Sequence, residues 1–514
     1  MSHENQQGTL RKSLLELIRR TSTCLPQDVN QVLHFQHGLE TAGSRADLAL
    51  ALVETNIDLA KRRSLPICQD TGTITFYASV PVGYDQIALE EACKLAVAEA
   101  TRLGYLRQNS VDSVDGKNTG DNLGPGSPVF HFHQHHGSEI DIRLILKGGG
   151  CENMSSQYSL PATLQGKKFD RDLEGVRGCV LDAIQNAQGK GCGPGFLGVC
   201  IGGDRATGYE FAKHQLLREV DDTNPDTELG ILEARILEEA NQLQIGPMGF
   251  GGKLTVGCCK IGKLNRLPAS FFVSVSYMCW AYRRRGFLLN ADGTVSKWLY
   301  QVPGEFDNPV EPMSPDERVQ LNLGDRQAIR LETPLDESTV RNLKAGDIVL
   351  LSGKVCTGRD AVHKFLHQGG DIPTLKDSVL YHCGPVVVGK PGEYRVVAAG
   401  PTTSIREEPY QADVMKRYNI RAVIGKGGMG AKTLAACKEL GGVYLHAIGG
   451  AAQIYALCVE GVDGVHMKEE FGSPEAVWEL RVKDFPAVVT MDSHGRSLHA
   501  EVEAQSSKNL AGLI

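Results

Sequence analysis

From Ala328 onward the chain reads as short β runs, at 348–351, 386–388, 396–399, 422–424, 442–445 and 487–489, alternating with shorter helices such as 430–440. Strands that alternate with amphipathic helices bury their faces only in a layered sheet, so this part is restricted to an α/β layout. Three of its turns carry a cation beside Gly, Pro or Thr: Gly358-Arg359-Asp360, Gly400-Pro401-Thr402-Thr403-Ser404-Ile405-Arg406, and Ile424-Gly425-Lys426-Gly427-Gly428-Met429-Gly430. Loops at strand C-termini are where such folds hold ligands. Arginine grips a carboxylate with two parallel hydrogen bonds and lysine adds a point charge. For most single arginines the surface-charge reading wins, but three such residues on three glycine-rich turns weigh against it and toward an anion site. With Ile67-Cys68-Gln69-Asp70-Thr71-Gly72 near the start, they suggest a site that grips a small polycarboxylate and moves its protons.

The first half reads differently. Residues 8–63 are helical, with Leu10, Leu14, Leu17 and Ile18 at helical spacing. A turn at 80–83 precedes a long amphipathic helix over 84–103. Residues 129–133 and 140–146 look like paired strands, the second running into Lys147-Gly148-Gly149-Gly150. Helices follow at 171–187, 206–219 and 227–244, and 254–275 is strand-like. Residues 286–326 are rich in Asp, Pro, Gly and Asn with little periodicity, so the boundary falls there. The expected units are a domain over 1–300, a linker over 301–326 and a domain over 327–514. No internal repeat is visible.

At 514 residues the chain is long enough for two domains with cores of their own. A net charge of −7 argues against nucleic acid or an anionic membrane as partner, so any basic site is local. No apolar run has the length of a membrane span, and residues 1–12 lack the apolar core of a signal peptide. The expectation is a cytoplasmic protein. The 58 glycines exceed the ~7% average and cluster in short loops, as where backbone approaches a ligand.

Fourteen cysteines are scattered through hydrophobic segments, as in a reducing compartment. Cys68 stands two residues from Asp70 on a turn bounded by Pro66 and Gly72. It reads as a metal ligand paired with an acid or base, or as a buried thiol beside a turn-capping Asp. Cys192 is pinned in Gly191-Cys192-Gly193-Pro194-Gly195, and Cys279 follows a strand. Cys258-Cys259 competes as ligand or redox pair, but neighbours in a β run face opposite ways. Without a C-x-x-C, spacing alone assigns no metal. Residues 425–433 approach the phosphate-loop pattern but carry Ala431 where its lysine belongs, which argues against a nucleotide and leaves an anion-holding helix start at 428–431.

As a set, Ile67 to Gly72, Lys147 to Gly150, Ile245-Gly246-Pro247-Met248-Gly249-Phe250-Gly251-Gly252, Ser352-Gly353-Lys354, Gly400 to Arg406 and Ile424 to Gly430 resemble the class I iron–sulfur fumarate hydratases, and more broadly the fumarase and tartrate dehydratase hydro-lyases. The likeness runs from about residue 12 to 505, with parts that are separate subunits in some relatives fused here. It implies an α+β and α/β protein: a larger, mainly helical N-terminal domain that binds the cluster, and a smaller α/β C-terminal domain of swivelling β/β/α type. It implies a [4Fe–4S] cluster held by Cys68, Cys192 and Cys279, with one iron open to substrate. Gln69, Arg107, Arg359, Arg406 and Lys426 would hold the substrate carboxylates, helped by the backbone of Gly148, Gly149 and Gly150. Asp70 and Thr402 would be the acid–base pair, provided Asp70 stands near enough to polarise the threonine hydroxyl. A homodimer is implied as well.

Two positions depart from the pattern. Leu267 stands where relatives have a histidine, and as an apolar side chain would line a pocket for a substituted dicarboxylate such as mesaconate. Cys151 stands where relatives have serine. The expected activity is reversible hydration of fumarate to (S)-malate. The alternatives are the same chemistry on mesaconate or tartrate, a non-catalytic iron–sulfur sensor, and a nucleotide-binding enzyme.

Overall fold

A computed structural model describes residues 3–290, 292–312 and 327–514. Most of the expected linker, 313–326, lies outside the described residues.

Two large sheets are built before residue 300. The first has five strands in the order Val295–Leu299, Arg283–Leu289, Ile140–Lys147, Thr73–Pro81, Val129–His135. Its covering helices are His3–Thr23 and Gln86–Arg102. The helical spacing of Leu10, Leu14, Leu17 and Ile18 puts all four into this core. The expected pairing of 129–133 with 140–146 is not observed. The Thr73–Pro81 strand lies between them, parallel to one and antiparallel to the other. The parallel step needs a crossover, and the Gln86–Arg102 helix supplies it. The expected turn at 80–83 falls at 82–83, where Tyr84 N donates to Pro81 O at 3.1 Å, and the β-branched and aromatic run before it suits a strand buried on both faces.

The second sheet has four strands in the order Ser156–Ser159, Phe272–Met278, Gly195–Ile201, Val256–Lys263. Helices Leu173–Ala187 and Thr227–Gln242 share its core. The last helix, Leu498–Leu513, returns to this layer: Leu510 enters the same core and Gln185 Nε2 donates to Ser507 Oγ at 3.0 Å.

The third sheet has seven strands, in the order Ala328–Glu332, Ile348–Thr357, Val379–Tyr381, Ala422–Gly425, Val443–His446, Val477–Met491, Val459–His466. The strand Ile348–Thr357 also pairs with Val477–Met491, which closes five of the seven strands into a ring. Four of those five, from Ile348–Thr357 to Val443–His446, are parallel. Their C-terminal ends therefore share one rim. Arg359, Gly384, Lys426 and Gly449 follow these ends directly, so one rim gathers residues from four remote stretches of sequence.

Candidate active site

The thiol-bearing turns belong to the other sheets. Cys192 precedes the strand Gly195–Ile201 in a left-handed conformation, φ 52°, and Cys279 follows the strand Phe272–Met278. The two strands are antiparallel neighbours with Phe196 opposite Met278, so both cysteines emerge at the same end of the sheet. Cys68 arrives on the turn before the Thr73–Pro81 strand. All three side chains are buried.

Burial pushes the Cys68 thiol up to about 11, against the pull of Arg283 and Lys426. Cys192 is raised by burial too, against Lys426. Cys279 is raised by its hydrogen bond with Cys151, by burial, and by the neighbouring sulfurs of Cys151, Cys192 and Cys68. The same hydrogen bond draws Cys151 down, with Lys147 and Lys426 adding to it. The expected three cysteines, with Cys151 beside them, thus sense one another's charge. Among the described residues no group of three or more His, Cys, Asp or Glu converges on a single metal ion. In an iron–sulfur cluster each cysteine ligates a different iron, so such thiols need not converge on one point. Protons held this firmly leave only when a cation takes their place, and Lys426 and Arg283 stand ready to offset anionic sulfur. By donor set and charge, these residues fit an iron–sulfur cluster.

Lys426 Nζ donates to Cys192 Sγ at 2.9 Å. Gly449 makes room for the contact: a Cβ there would lie 2.2 Å from Cys192 Sγ and 2.9 Å from Lys426 Cδ. A Cβ on Gly150 would lie 3.5 Å from Lys426 Nζ, so bare backbone faces the lysine from the first half of the chain. Gly149 opens the same short helix, and Gly150 N donates to Asp70 Oδ2 at 3.4 Å.

Burial alone would raise the Asp70 carboxyl. Arg107, Lys426, Arg283 and Arg359 outweigh it and hold the group below the usual carboxylate range. Asp70 is therefore an ionised group ringed by cations. Arg107 Nη2 stands 3.6 Å from Asp70 Oδ1, while Arg107 Nη1 donates to Gly384 O at 2.7 Å. A Cβ on Gly384 would lie 2.7 Å from Arg359 Nη1, which places Gly384 between the two guanidinium groups. Arg107 is held below its ordinary value first by burial and then by Arg359. Arg359 Nη1 also pairs with Glu475 Oε1 at 2.9 Å, whereas the carboxylate beside Arg107 is Asp70. Gln69 Nε2 donates to Pro401 O at 3.0 Å, and a Cβ on Gly400 would lie 2.2 Å from Gln69 Oε1.

Arg406 Nη2 donates to Thr402 Oγ1 at 3.1 Å and pairs with Asp360 at 3.0 Å. Lys426 N donates to Thr402 O at 3.2 Å, which ties this loop to the lysine turn. Among the described residues no hydrogen bond joins Asp70 to Thr402, whose hydroxyl accepts from Arg406 instead. The expected cysteines, carboxylate, glycines, Gln69 and cations are otherwise linked by the contacts above.

Three readings change. Leu267 does not line this space within the chain. It is 73% exposed in the loop before the strand Phe272–Met278, at the end opposite Cys279, roughly 20 Å away along the strand. The helix start at 428–431 does hold an anion, but the anion is internal. The Glu408 carboxylate accepts from Gly430 N (2.8 Å), Lys432 N (2.9 Å), Thr433 N (3.3 Å) and Thr433 Oγ1 (2.6 Å), filling the place a phosphate would take. Cys258 and Cys259 face different cores, as alternation requires, and their charged neighbours are Lys260, Arg284, Glu233 and Arg218.

Sequence reasoning passed over Arg283, whose Nη2 donates to Asp70 O at 2.7 Å from a fully buried position. The signal was present: Arg283-Arg284-Arg285 is a run of three cations inside a strand that follows Cys279. Gly384 and Gly449 carried no such signal.

The family model described as fumarate hydratase matches residues 11–287, and the model described as fumarase C-terminus matches 297–502. The chain is 54% identical over 505 residues to a putative class I fumarate hydratase of Geobacillus stearothermophilus, covering 98% of each chain. The chain belongs to the class I fumarate hydratase family. It is also 41% identical over 186 residues to a putative L(+)-tartrate dehydratase subunit beta of Methanocaldococcus jannaschii, covering 35% of this chain and 95% of that one. The putative alpha subunit from the same organism is 33% identical over 276 residues, covering 53% of this chain and 94% of that one. Family members thus include two-subunit proteins whose parts correspond in size to segments of this single chain.

Proposed function

We propose that this protein is a fumarate hydratase that interconverts fumarate and (S)-malate. The observation that carries the reading is the meeting of buried thiols from one half of the chain with Lys426 from the other, beside the buried guanidinium groups of Arg107 and Arg359 on either side of Gly384. A planar dicarboxylate needs cations at both ends, and this site offers them around an ionised carboxylate.

Cys68, Cys192 and Cys279 would hold a [4Fe–4S] cluster. When bound, the cluster supplies a Lewis acid for the substrate hydroxyl, which is a poor leaving group. The remaining work falls to side chains. Gln69, Arg107, Arg359, Arg406 and Lys426, helped by the N–H groups of Gly149 and Gly150, bind the two carboxylates, and the cations spread the charge that grows as the adjacent carbon loses its proton. Thr402 takes that proton at Oγ1, its anionic form favoured by Arg406 at 3.1 Å. Asp70, ionised and cation-held, takes the proton of the attacking water in the hydration direction and returns it in the reverse.

The reading includes a cluster-binding domain over 1–300 and a swivelling α/β domain over 327–514, supported by the way the closed sheet forms wholly from later residues. It includes a cytoplasmic homodimer. Fourteen free, buried cysteines support a reducing compartment. Among the described residues no helix is long and apolar enough to cross a membrane.

The test is turnover of a dicarboxylate panel by anaerobically reconstituted protein. Malate formed from fumarate supports the reading. No turnover of fumarate with clear turnover of tartrate would favour the second reading, a tartrate dehydratase, which the similarity to the two-subunit relatives keeps in play.

A further inference from the structure

Behind the Arg406 turn lies a buried polar network with no part in the chemistry above. His363, His382, Ser404, Gln411 and Tyr444 are all fully buried. One terminal atom of the Gln411 amide stands 3.1 Å from His363 Nε2 and 2.8 Å from His382 Nε2. The other terminal atom has no partner. The two rings meet edge to face, with centroids 5.2 Å apart. On their far sides, His363 Nδ1 stands 2.9 Å from Arg359 O, and His382 Nδ1 stands 2.8 Å from Ser404 Oγ.

Donor counting fixes the proton positions. Burial keeps both rings neutral, so each has one N–H. With the amide oxygen facing the two rings, as the structure places it, both Nε2 atoms must donate. His363 Nδ1 is then a bare lone pair at 2.9 Å from a carbonyl oxygen, and the amide NH₂ has no acceptor in a buried site. Amide orientation is assigned from such partners, and here they require the reverse. With NH₂ facing the rings, its two protons go to the two Nε2 atoms. His363 Nδ1–H then donates to Arg359 O, and His382 Nδ1–H to Ser404 Oγ, which also accepts from Tyr444 Oη at 2.8 Å. One amide oxygen and one hydroxyl proton of the Ser404–Tyr444 pair remain without partners, a lesser cost than two amide N–H donors and an opposed lone pair.

We propose that Gln411 is a positioning residue that fixes both histidines in the Nδ1–H tautomer and so holds the three cation-bearing turns in one arrangement. His363 reaches the Arg359 turn through its carbonyl. His382 reaches the next turn twice, through Ser404 Oγ and by accepting from Thr402 N at 2.7 Å on its own carbonyl. Ser404 N donates to Lys426 O at 3.1 Å, which extends the link to the lysine turn. The dicarboxylate role of these cations rests on the function proposed above; the tautomers do not.

The test has two arms. Protein labelled with ¹⁵N-histidine, without substrate, should show two buried rings protonated at Nδ1; either ring protonated at Nε2 overturns the proposal, whatever the substrate proves to be. Gln411→Glu keeps the shape but reverses the hydrogen bonds, so both rings should shift to Nε2–H or imidazolium. Misplaced cations then raise the KM for fumarate about tenfold, with a smaller change in kcat and a retained near-ultraviolet dichroism spectrum. A Gln411→Glu variant with unaltered tautomers or unaltered KM sinks the proposal. If that variant does not fold, the tautomer measurement on the unaltered protein still decides.

Discussion

Lys426 Nζ and Cys192 Sγ are hydrogen-bonded at 2.9 Å although 234 residues separate them. The contact joins the closed sheet of the later residues to the sulfur-bearing turns of the earlier ones. Lys426 is held charged: burial opposes this, but the sulfurs of Cys192 and Cys68 outweigh it.

Replacing Lys426 by Gln removes a buried charge near the substrate carboxylates without much loss of volume. A charge-assisted contact of this kind is worth about 2–3 kcal/mol, so kcat/KM for fumarate should fall about a hundredfold. Anaerobic steady-state kinetics measure it. A loss below threefold would mean the lysine serves the sulfur alone.

The four neighbouring thiols divide into three proposed ligands and one companion. Cys68→Ser, Cys192→Ser and Cys279→Ser should each lose most of the iron and sulfide taken up on reconstitution, with the visible absorption that goes with them. Cys151→Ser should keep both, since serine can still hydrogen-bond to Cys279. Iron analysis and absorption spectra decide, and a Cys151→Ser protein as empty as Cys279→Ser would require a different ligand set.

Much of this was readable from sequence because the chemistry is carried by short turns. Lys426 and Arg359 each follow a β run, and parallel strands deliver their C-terminal loops to one rim whatever the details of the sheet. What was not readable depends on contacts between distant segments. The Thr73–Pro81 strand was missed because its central position, with neighbours on both sides, follows from pairing and not from local pattern. Gly384 and Gly449 look like any loop glycine; only the positions of Arg359 and Cys192 show that a Cβ would not fit. Leu267 misled because a place in a motif does not specify which end of a strand it occupies.

Glu408 fills the start of the helix Ala431–Leu440, and two predictions follow from that single carboxylate. Glu408→Ala should destabilise the protein by about 1–2 kcal/mol through loss of the helix cap. ATP should leave the melting temperature of the unaltered protein unchanged. A nucleotide-dependent rise in melting temperature would show that the carboxylate yields its place.

Glu407 gives a pH dependence with a definite sign. Its side chain is fully buried, and neither carboxyl oxygen has a hydrogen-bond partner. Burial, then the charge of Asp360, raises its pKa from 4.5 to about 8; Arg406, 4.0 Å away, is too distant to reverse this. Between those two values the folded protein binds more protons at this site than the unfolded chain. Stability from this group is therefore complete below pH 4.5 and declines as the pH rises toward 8. Glu407→Gln keeps the shape and removes the titration. Its melting temperature should match the unaltered protein near pH 5 and exceed it near pH 8, by several degrees for a difference of a few kcal/mol. Scanning calorimetry at the two pH values measures the gap. Melting curves offset equally at both would mean that Glu407 is ionised in the folded protein, with Arg406 moved in to meet it.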